Sequence, residues 1–404
     1  MNRVPKLRFK EFNDEWEEKK LEYITKFSKG KLISKEDITE TGIECIRYGE
    51  LYTTYGEVIS EIVSKTNLNI KDLVLSEKND IIIPSSGETA IDIAKASCVT
   101  KSGVALGGDL NILKLNENGI FLSYYLNNKL KYQIASLAQG ASVVHLYENH
   151  LKKLKVLFPC LEEQEKIADF LSNVDKKISI TEEKLNLFNE YKKGIMQKIF
   201  NQELRFKDAN GNDYPEWEEK KLEEIAEYRR GSFPQPYGLK EWYDEINGKP
   251  FVQVYDVDDN FKLKNDTKNK ISKKAEEFSV FAEEGTIIVT LQGSIGRVAK
   301  MQYSAFIDRT LLIFEKFLFP IDTDYFKYIL FLIFDEEKRK APGGIIKTIT
   351  KEALSSFDTK LPCLEEQQKI ADFLSAIDTK IEKISDELEN LKEFKKGLLQ
   401  QMFV

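Results

Sequence analysis

Catalysis needs nucleophiles, bases or metal ligands at short spacing, and this chain of 404 residues is poor in them. Its two histidines, His145 and His150, stand five residues apart, a spacing that does not put both on one helix face. They read as surface or loop residues. The four cysteines, Cys45, Cys98, Cys160 and Cys363, form no Cys-x-x-Cys pair. That distribution argues against zinc and suits free thiols in a reducing cytoplasm. No Gly-x-x-x-x-Gly-Lys-Ser/Thr loop is present to cradle a nucleotide phosphate. No Asn-Pro-Pro-aromatic or Asp-Pro-Pro-aromatic tetrapeptide, of the kind amino-methyltransferases use, occurs either. Acidic strings such as Glu17–Lys20 resemble fragments of a nuclease motif, but they recur at Glu218–Lys221 and read as solvated charge. Gly87 and Gly293 each stand alone after a strand-like run, which fits a tight turn better than a phosphate cradle. The residue inventory therefore implies no catalytic group and no metal site.

The elements that would position any binding residues are written twice. PCLEEQEKIADFLSNVDKKI at Pro159–Ile178 returns as PCLEEQQKIADFLSAIDTKI at Pro362–Ile381. YKKGIMQKIF at Tyr191–Phe200 returns as FKKGLLQQMF at Phe394–Phe403, and LRFK from Leu7 returns from Leu204. Three matched blocks in one order mean tandem duplication. Between them the framework survives while the residues diverge. CIRYGEL at Cys45–Leu51 lies opposite FVQVYDV at Phe251–Val257, and DIIIPSSG at Asp80–Gly87 opposite TIIVTLQG at Thr286–Gly293. Each reads as a short buried strand ending in small or polar residues. Helical stretches follow at Phe121–Ala138 and Asp324–Ala341. A shared scaffold with divergent strand ends suits two readers of different ligands, and equally suits neutral drift after duplication.

The longest periodic stretches are helical. Ile370, Leu374, Ile377, Ile381, Ile384, Leu388, Leu391, Leu398 and Met402 form a heptad seam, with Lys395 at its one missing position. Ile167, Leu171, Val174, Ile178, Leu185, Phe188, Ile195 and Ile199 repeat it, interrupted by Thr181 and Lys192. Two such helices can cover each other's seams, or each can pack on its own domain. Association about a two-fold axis would make them antiparallel, a rod of roughly 57 Å with inverted domains toward its ends. The expected fold class is α/β (α+β): two pseudo-two-fold-related mixed α/β domains separated by two long antiparallel coiled-coil helices. The expected boundaries are 1–157 and 202–360 for the domains, with 158–201 and 361–404 for the helices.

Composition sets outer limits. Hydrophobic residues at 42% and charged residues at 31% describe packed globular domains. No run of eighteen apolar residues occurs, and MNRVPKLRFKEF has no apolar signal core, so no membrane partner and a cytoplasmic location are expected. The net charge of −7 does not advertise nucleic acid, although residues 1–157 hold 22 basic and 21 acidic residues and so carry +1.

The duplicated LEEQ-x-KIADFL blocks, each after a Pro-Cys, resemble the repeated conserved regions of type I restriction–modification specificity subunits. IRYGELYTTYGE at Ile46–Glu57 and SSGETAIDIAKAS at Ser85–Ser97 resemble one common class of target-recognition domain in that family. PFVQVYDV at Pro250–Val257 and TLQGSIGRVAKM at Thr290–Met301 resemble another. The resemblance spans nearly the whole chain. It departs where Leu291-Gln292-Gly293-Ser294 replaces Ser85-Ser86-Gly87-Glu88, so no contact map carries from one copy to the other.

The resemblance implies a non-catalytic subunit that binds a bipartite target in double-stranded DNA, one half per domain. Its helices would dock two methylation subunits, and two restriction/translocation subunits would join them. The chain would bind no cofactor itself, S-adenosylmethionine, ATP and magnesium being used by the partners. Side chains suited to base readout near the matched strand ends are Arg47, Tyr48, Lys95 and Lys101 in the first domain. In the second they are Arg229, Arg230, Gln253, Gln292, Arg297, Arg309 and Lys347. For each of them an ordinary surface role is the alternative. Glu163, Gln164, Lys166 and Asp169 lie off the heptad stripe, as do Glu366, Gln367, Lys369 and Asp372. Their near identity between copies predicts two exposed, equivalent docking faces, unless it reflects recent duplication alone. A coiled-coil linker that never touches DNA and a fused nuclease are the rival readings.

Overall fold

The computed structural model describes residues 3–140, 142–340, 354–355 and 357–404. The chain divides into two compact units, Met1–Glu183 with Asp386–Val404, and Lys184–Ser385. Each unit therefore owns one α/β domain, the first half of one long helix and the second half of the other. The long helices run Leu161–Phe200 and Leu364–Met402.

In the first unit a five-stranded sheet has the order Thr25–Lys29, Leu110–Leu115, Asp80–Pro84, Ser97–Val99, Val58–Ile59. A second sheet has the order Ala105–Leu106, Ile43–Ile46, Ser64–Thr66, Ile38–Thr39. The second unit repeats the plan with Ala226–Arg230, Leu311–Phe317, Ile287–Thr290 and Val298–Lys300. Its other sheet has the order Asn269–Ile271, Lys249–Val252, Ala305–Ile307, Val280–Ala282. The expected buried strands are real: Ile81, Ile82 and Ile83 are fully enclosed, as are Ile288 and Val289. Runs buried on both faces need no alternation, which is why they read as continuous apolar segments. The registers repeat as well. Ile82 pairs with Ile112, and Ile288 with Ile313.

The helical stretch expected at Phe121–Ala138 is two helices, Gly119–Asn128 and Lys131–Ser136. Its counterpart is one helix, Thr323–Lys340. Within each unit the long-helix halves run antiparallel. Asp175 meets Lys395 and Glu182 meets Lys392 in the first. Lys192 meets Asp378 and Phe188 meets Lys380 in the second. Ascent along one helix is descent along the other.

The seam serves both packing modes that its period left open. Ile167, Leu171 and Val174 share one core with Trp16, Phe121, Leu398, Met402 and Phe403. Ile370, Leu374, Ile377 and Ile381 share the other with Trp217, Tyr325, Met196 and Ile199. Each helix starts on its own domain, and the tail of the other helix completes that core. Phe403 packs between Trp16 and Phe121, at 6.4 and 5.5 Å between ring centroids. Phe200 takes the matching place beside Trp217 and Tyr325, at 6.3 and 5.7 Å. The chain start also follows the repeat. Leu7 donates its amide to the Gln401 carbonyl at 3.0 Å, as Leu204 does to Lys198.

Candidate nucleic-acid interface

Three strand exits converge at one end of each domain, joined by two backbone hydrogen bonds. In the first unit the parallel strands Ile43–Ile46 and Ala105–Leu106 end together, and the Gly107 amide donates to the Ile46 carbonyl at 2.9 Å. The Ser85 amide donates to Asp109 at 2.8 Å and brings in the exit of Asp80–Pro84. In the second unit Asp308 donates to Val252 at 3.0 Å and Leu291 to Thr310 at 2.8 Å. A fourth segment crosses this end. Gly30 lies so close to the Gly107 and Leu106 carbonyls that a Cβ would sit 2.0 and 2.4 Å from them. Gly231 approaches Ile307 and Asp308 in the same way, at 2.3 and 2.4 Å. Only glycine lets the backbone pass at both positions.

The turn leaving the parallel strand is built alike in the two copies. The Glu50 carboxylate accepts from the Arg47 amide at 3.0 Å, and Asp256 accepts from the Gln253 amide at 2.8 Å. Both acids are buried. In the first copy Glu50 also holds the Arg47 guanidinium at 3.1 Å and the Ser64 hydroxyl at 2.6 Å. Tyr48 is partly exposed and packs edge-on to Tyr52.

Arg47 and Tyr48 thus stand at the converged end, but the other two candidates of this domain do not join them. Lys95 turns into the structure and donates to the Tyr55 carbonyl. Burial pushes its pKa down. Lys101 pairs with Glu44 at 3.1 Å, at the entry of the strand whose exit bears Arg47. The residues that composition did not single out here are Lys31, Ser86 and His145. Lys31 bridges to Gly107, and His145 pairs in register with Ser86. His145 and His150 flank Tyr147, at 6.2 and 5.9 Å between rings.

In the second unit Gln253 is locked by its neighbours. Its Oε1 accepts from Asn269 at 2.7 Å and from the Tyr255 hydroxyl, and its Nε2 donates to the Tyr237 hydroxyl at 3.3 Å. The Arg309 guanidinium lies over the Tyr237 ring, 5.2 Å from its centroid. Gln292 is exposed on a loop that passes Val254, whose side chain would lie 3.4 Å from a Cβ at Gly293. Arg230 is exposed, next to Gly231. These four candidates share one end. Arg229 is held by Glu315 at 2.5 Å, and Arg297 is drawn to Asp259 at 2.8 Å. Lys347 lies outside the described residues. Tyr237, Tyr255 and Asn269 escaped the sequence reading, because nothing in their spacing ties them to Gln253.

The expected docking faces need correction. Glu163, Gln164, Glu366 and Gln367 are all fully buried. Glu163 takes a two-pronged bond from Arg8, at 2.8 and 2.7 Å. Glu366 takes Arg205, at 3.3 and 2.8 Å, and also the Trp217 indole at 3.0 Å. Gln164 accepts from the Asn118 amide at 3.0 Å and donates to the Pro159 carbonyl at 3.0 Å. Gln367 accepts from Asp322 at 2.9 Å and donates to Pro362 at 2.9 Å. Glu163 and Glu366 thus clamp the segment that enters each domain onto the helix start, inside one unit. Lys166 is exposed, bonded to Glu11 and over the Phe9 ring. Lys369 donates to the Lys207 carbonyl at 2.6 Å, and Asp169 and Asp372 are exposed.

A duplicated α/β scaffold, with alike backbone turns and unlike polar tips, defines a two-headed recognition protein. The chain belongs to the type I restriction modification DNA specificity domain family, whose profile matches residues 13–189 and 214–393. It is 29% identical over 413 residues to the putative type I restriction enzyme MjaX specificity subunit of Methanocaldococcus jannaschii, covering 96% of this chain and 93% of that one. The type I restriction enzyme MjaVIII specificity subunit of the same organism is 25% identical over 410 residues, covering 96% and 91%. In fold it is similar to the type I restriction–modification S subunit from M. genitalium, with a TM-score of 0.67, 18% identity and 99% of each chain covered. A chain from the structure describing complex assembly and conformational transition of the type I R-M system gives 0.53, at 17% identity over 96% and 97%. Among the described residues no helix is long and apolar enough to cross a membrane.

Proposed function

We propose that each recognition domain reads one half of a bipartite site in double-stranded DNA, and that the long helices set the gap between the halves. The observation that carries this reading is the converged strand end. Its hydrogen-bonded frame is the same in both units, while the side chains at its tip differ, Arg47 and Tyr48 against Gln253 and Arg309. Equal frames with unequal donors and acceptors suit two different base sequences. The chain itself carries no reaction. S-adenosylmethionine, ATP and magnesium belong to two methylation and two restriction/translocation subunits. The methylation subunits dock on the duplicated helix starts, through Lys166, Asp169, Lys369 and Asp372 rather than through the buried Glu-Gln pairs.

The test is to express the chain with its methylation subunit and map methylated adenines across the host genome. The expected motif has two specified halves on one face of the duplex, with centres about 10–10.5 base pairs apart and several unread bases between them. A contiguous motif, or none, overturns the reading. Native mass of the assembled complex should show two methylation subunits per chain, and reversing charge at Lys166 and Lys369 should reduce that number.

A further inference from the structure

The second unit contains six arginines, Arg205, Arg229, Arg230, Arg297, Arg309 and Arg339. Four are held by carboxylates: Arg205 by Glu366, Arg229 by Glu315, Arg297 by Asp259 and Arg339 by Asp335. Among the described residues Arg230 and Arg309 have no carboxylate partner, and of these two only Arg309 is oriented by a ring. That ring is itself anchored. Tyr237 packs on Phe233 at 4.9 Å, and Phe233 stacks on the fully buried Phe251 at 4.6 Å. The guanidinium therefore lies over a ring that a chain of aromatic contacts roots in the sheet.

A guanidinium laid over a ring is fixed through its face, while the N–H donors along its edge stay free for a planar acceptor pair. Guanine offers such a pair, O6 and N7, at one edge of the major groove. A phosphate contact needs no such orientation and tolerates a mobile lysine. The neighbourhood also favours a neutral ligand. Asp308, the preceding residue, is buried with one carboxylate oxygen lacking a partner among the described residues. Gln253, tied to the same Tyr237 hydroxyl, is a neutral group with its amide orientation fixed.

We propose that Arg309, held by Tyr237, is the residue through which the second recognition domain reads a guanine. The inference rests on the proposed DNA-reading function. Its test selects a randomised duplex library with the assembled complex, using wild-type chain, Arg309→Ala, Arg309→Lys and Tyr237→Leu. The wild type should return a two-part motif with at least one required guanine. Arg309→Ala and Arg309→Lys should each relax one G·C position by roughly tenfold or more, leaving the rest of the motif intact. Tyr237→Leu should keep the guanine but weaken the preference, as expected of a positioning residue. A motif without a required guanine overturns the assignment, as does an unchanged motif in Arg309→Ala. An even loss on all sequences, with a salt slope smaller by about one, would make Arg309 a phosphate contact and also overturn it. If the wild type selects no motif, the DNA-reading function itself fails, and that outcome is distinct from the others.

Discussion

Lys395 of the second long helix lies 2.7 Å from Asp175 of the first. Its Nζ also reaches Glu57 at 3.2 Å and stands over the Tyr124 ring at 5.5 Å. Tyr124 in turn donates to Asp175 at 2.6 Å. The second unit repeats the joint: Lys192 bonds Asp378 at 2.5 Å, Tyr328 donates to Asp378 at 2.6 Å, and Lys192 stands over Tyr328 at 5.8 Å. Each joint ties two antiparallel helices and a recognition-domain helix at one point.

Replacing Lys395 with Met should leave Asp175 without its cation and cost about 2 kcal/mol of stability. Lys192→Met should cost a similar amount through Asp378. The double variant Lys395→Met with Asp175→Asn should lose less than the sum of its single variants, because one interaction is removed twice. Urea unfolding of the full chain measures all three. Additive losses would show that the lysine and aspartate act independently.

The clamp at each helix start makes a second prediction. Glu163→Gln and Glu366→Gln keep the shape but remove the charge that receives Arg8 or Arg205. Each should cost roughly 2 kcal/mol. Glu366→Gln should be the worse of the two, since Trp217 also donates to that carboxylate. Limited proteolysis should cut earlier near residues 1–15 in the first variant and near 203–216 in the second.

Gly30→Ala and Gly231→Ala should damage the converged strand ends. A Cβ at either position meets backbone carbonyls that cannot turn aside. Losses of about 1–3 kcal/mol in stability are expected, with weaker DNA binding by the half concerned. Gly56→Ala is the control, since a Cβ there meets nothing within 4 Å. Thermal melting of the three variants separates them.

Alkali should loosen the joints. Burial, then the neighbouring carboxylates, raises the Tyr124 and Tyr328 hydroxyls above their ordinary value near 10. Lys395 is raised too, its two carboxylates outweighing the opposing effect of burial. Groups whose folded pKa exceeds the unfolded one give stability that is complete below the unfolded value and lost as pH rises through the folded one. Denaturant midpoints should therefore stay level to about pH 9 and fall above 10. Tyr124→Phe with Tyr328→Phe should flatten that fall, and an unchanged slope would remove the tyrosines from the account.

Much of the architecture is legible along the chain because it is periodic or repeated. Duplication is visible in the LEEQ blocks, the buried strands in Ile81–Ile83 and Ile287–Val289, and the helices in a four-three apolar rhythm. Even the joints leave a mark, since Lys192 and Lys395 are the charged breaks in that rhythm. What the rhythm omits is what faces them. Asp175 and Lys395 are far apart in sequence, and no local spacing encodes a partner at that range. The same gap explains why four residues expected on an exposed face are buried. A heptad describes one helix against another, but at Glu163 and Glu366 a third surface, the domain that feeds the helix, closes over positions the heptad leaves outside. Arg47, Lys95 and Lys101 look equivalent as basic residues near strand ends. Only the folded chain sends Arg47 to the converged tip, Lys95 inward to a carbonyl and Lys101 to Glu44, because each strand has two ends and hydrogen bonds between distant segments decide which ends meet.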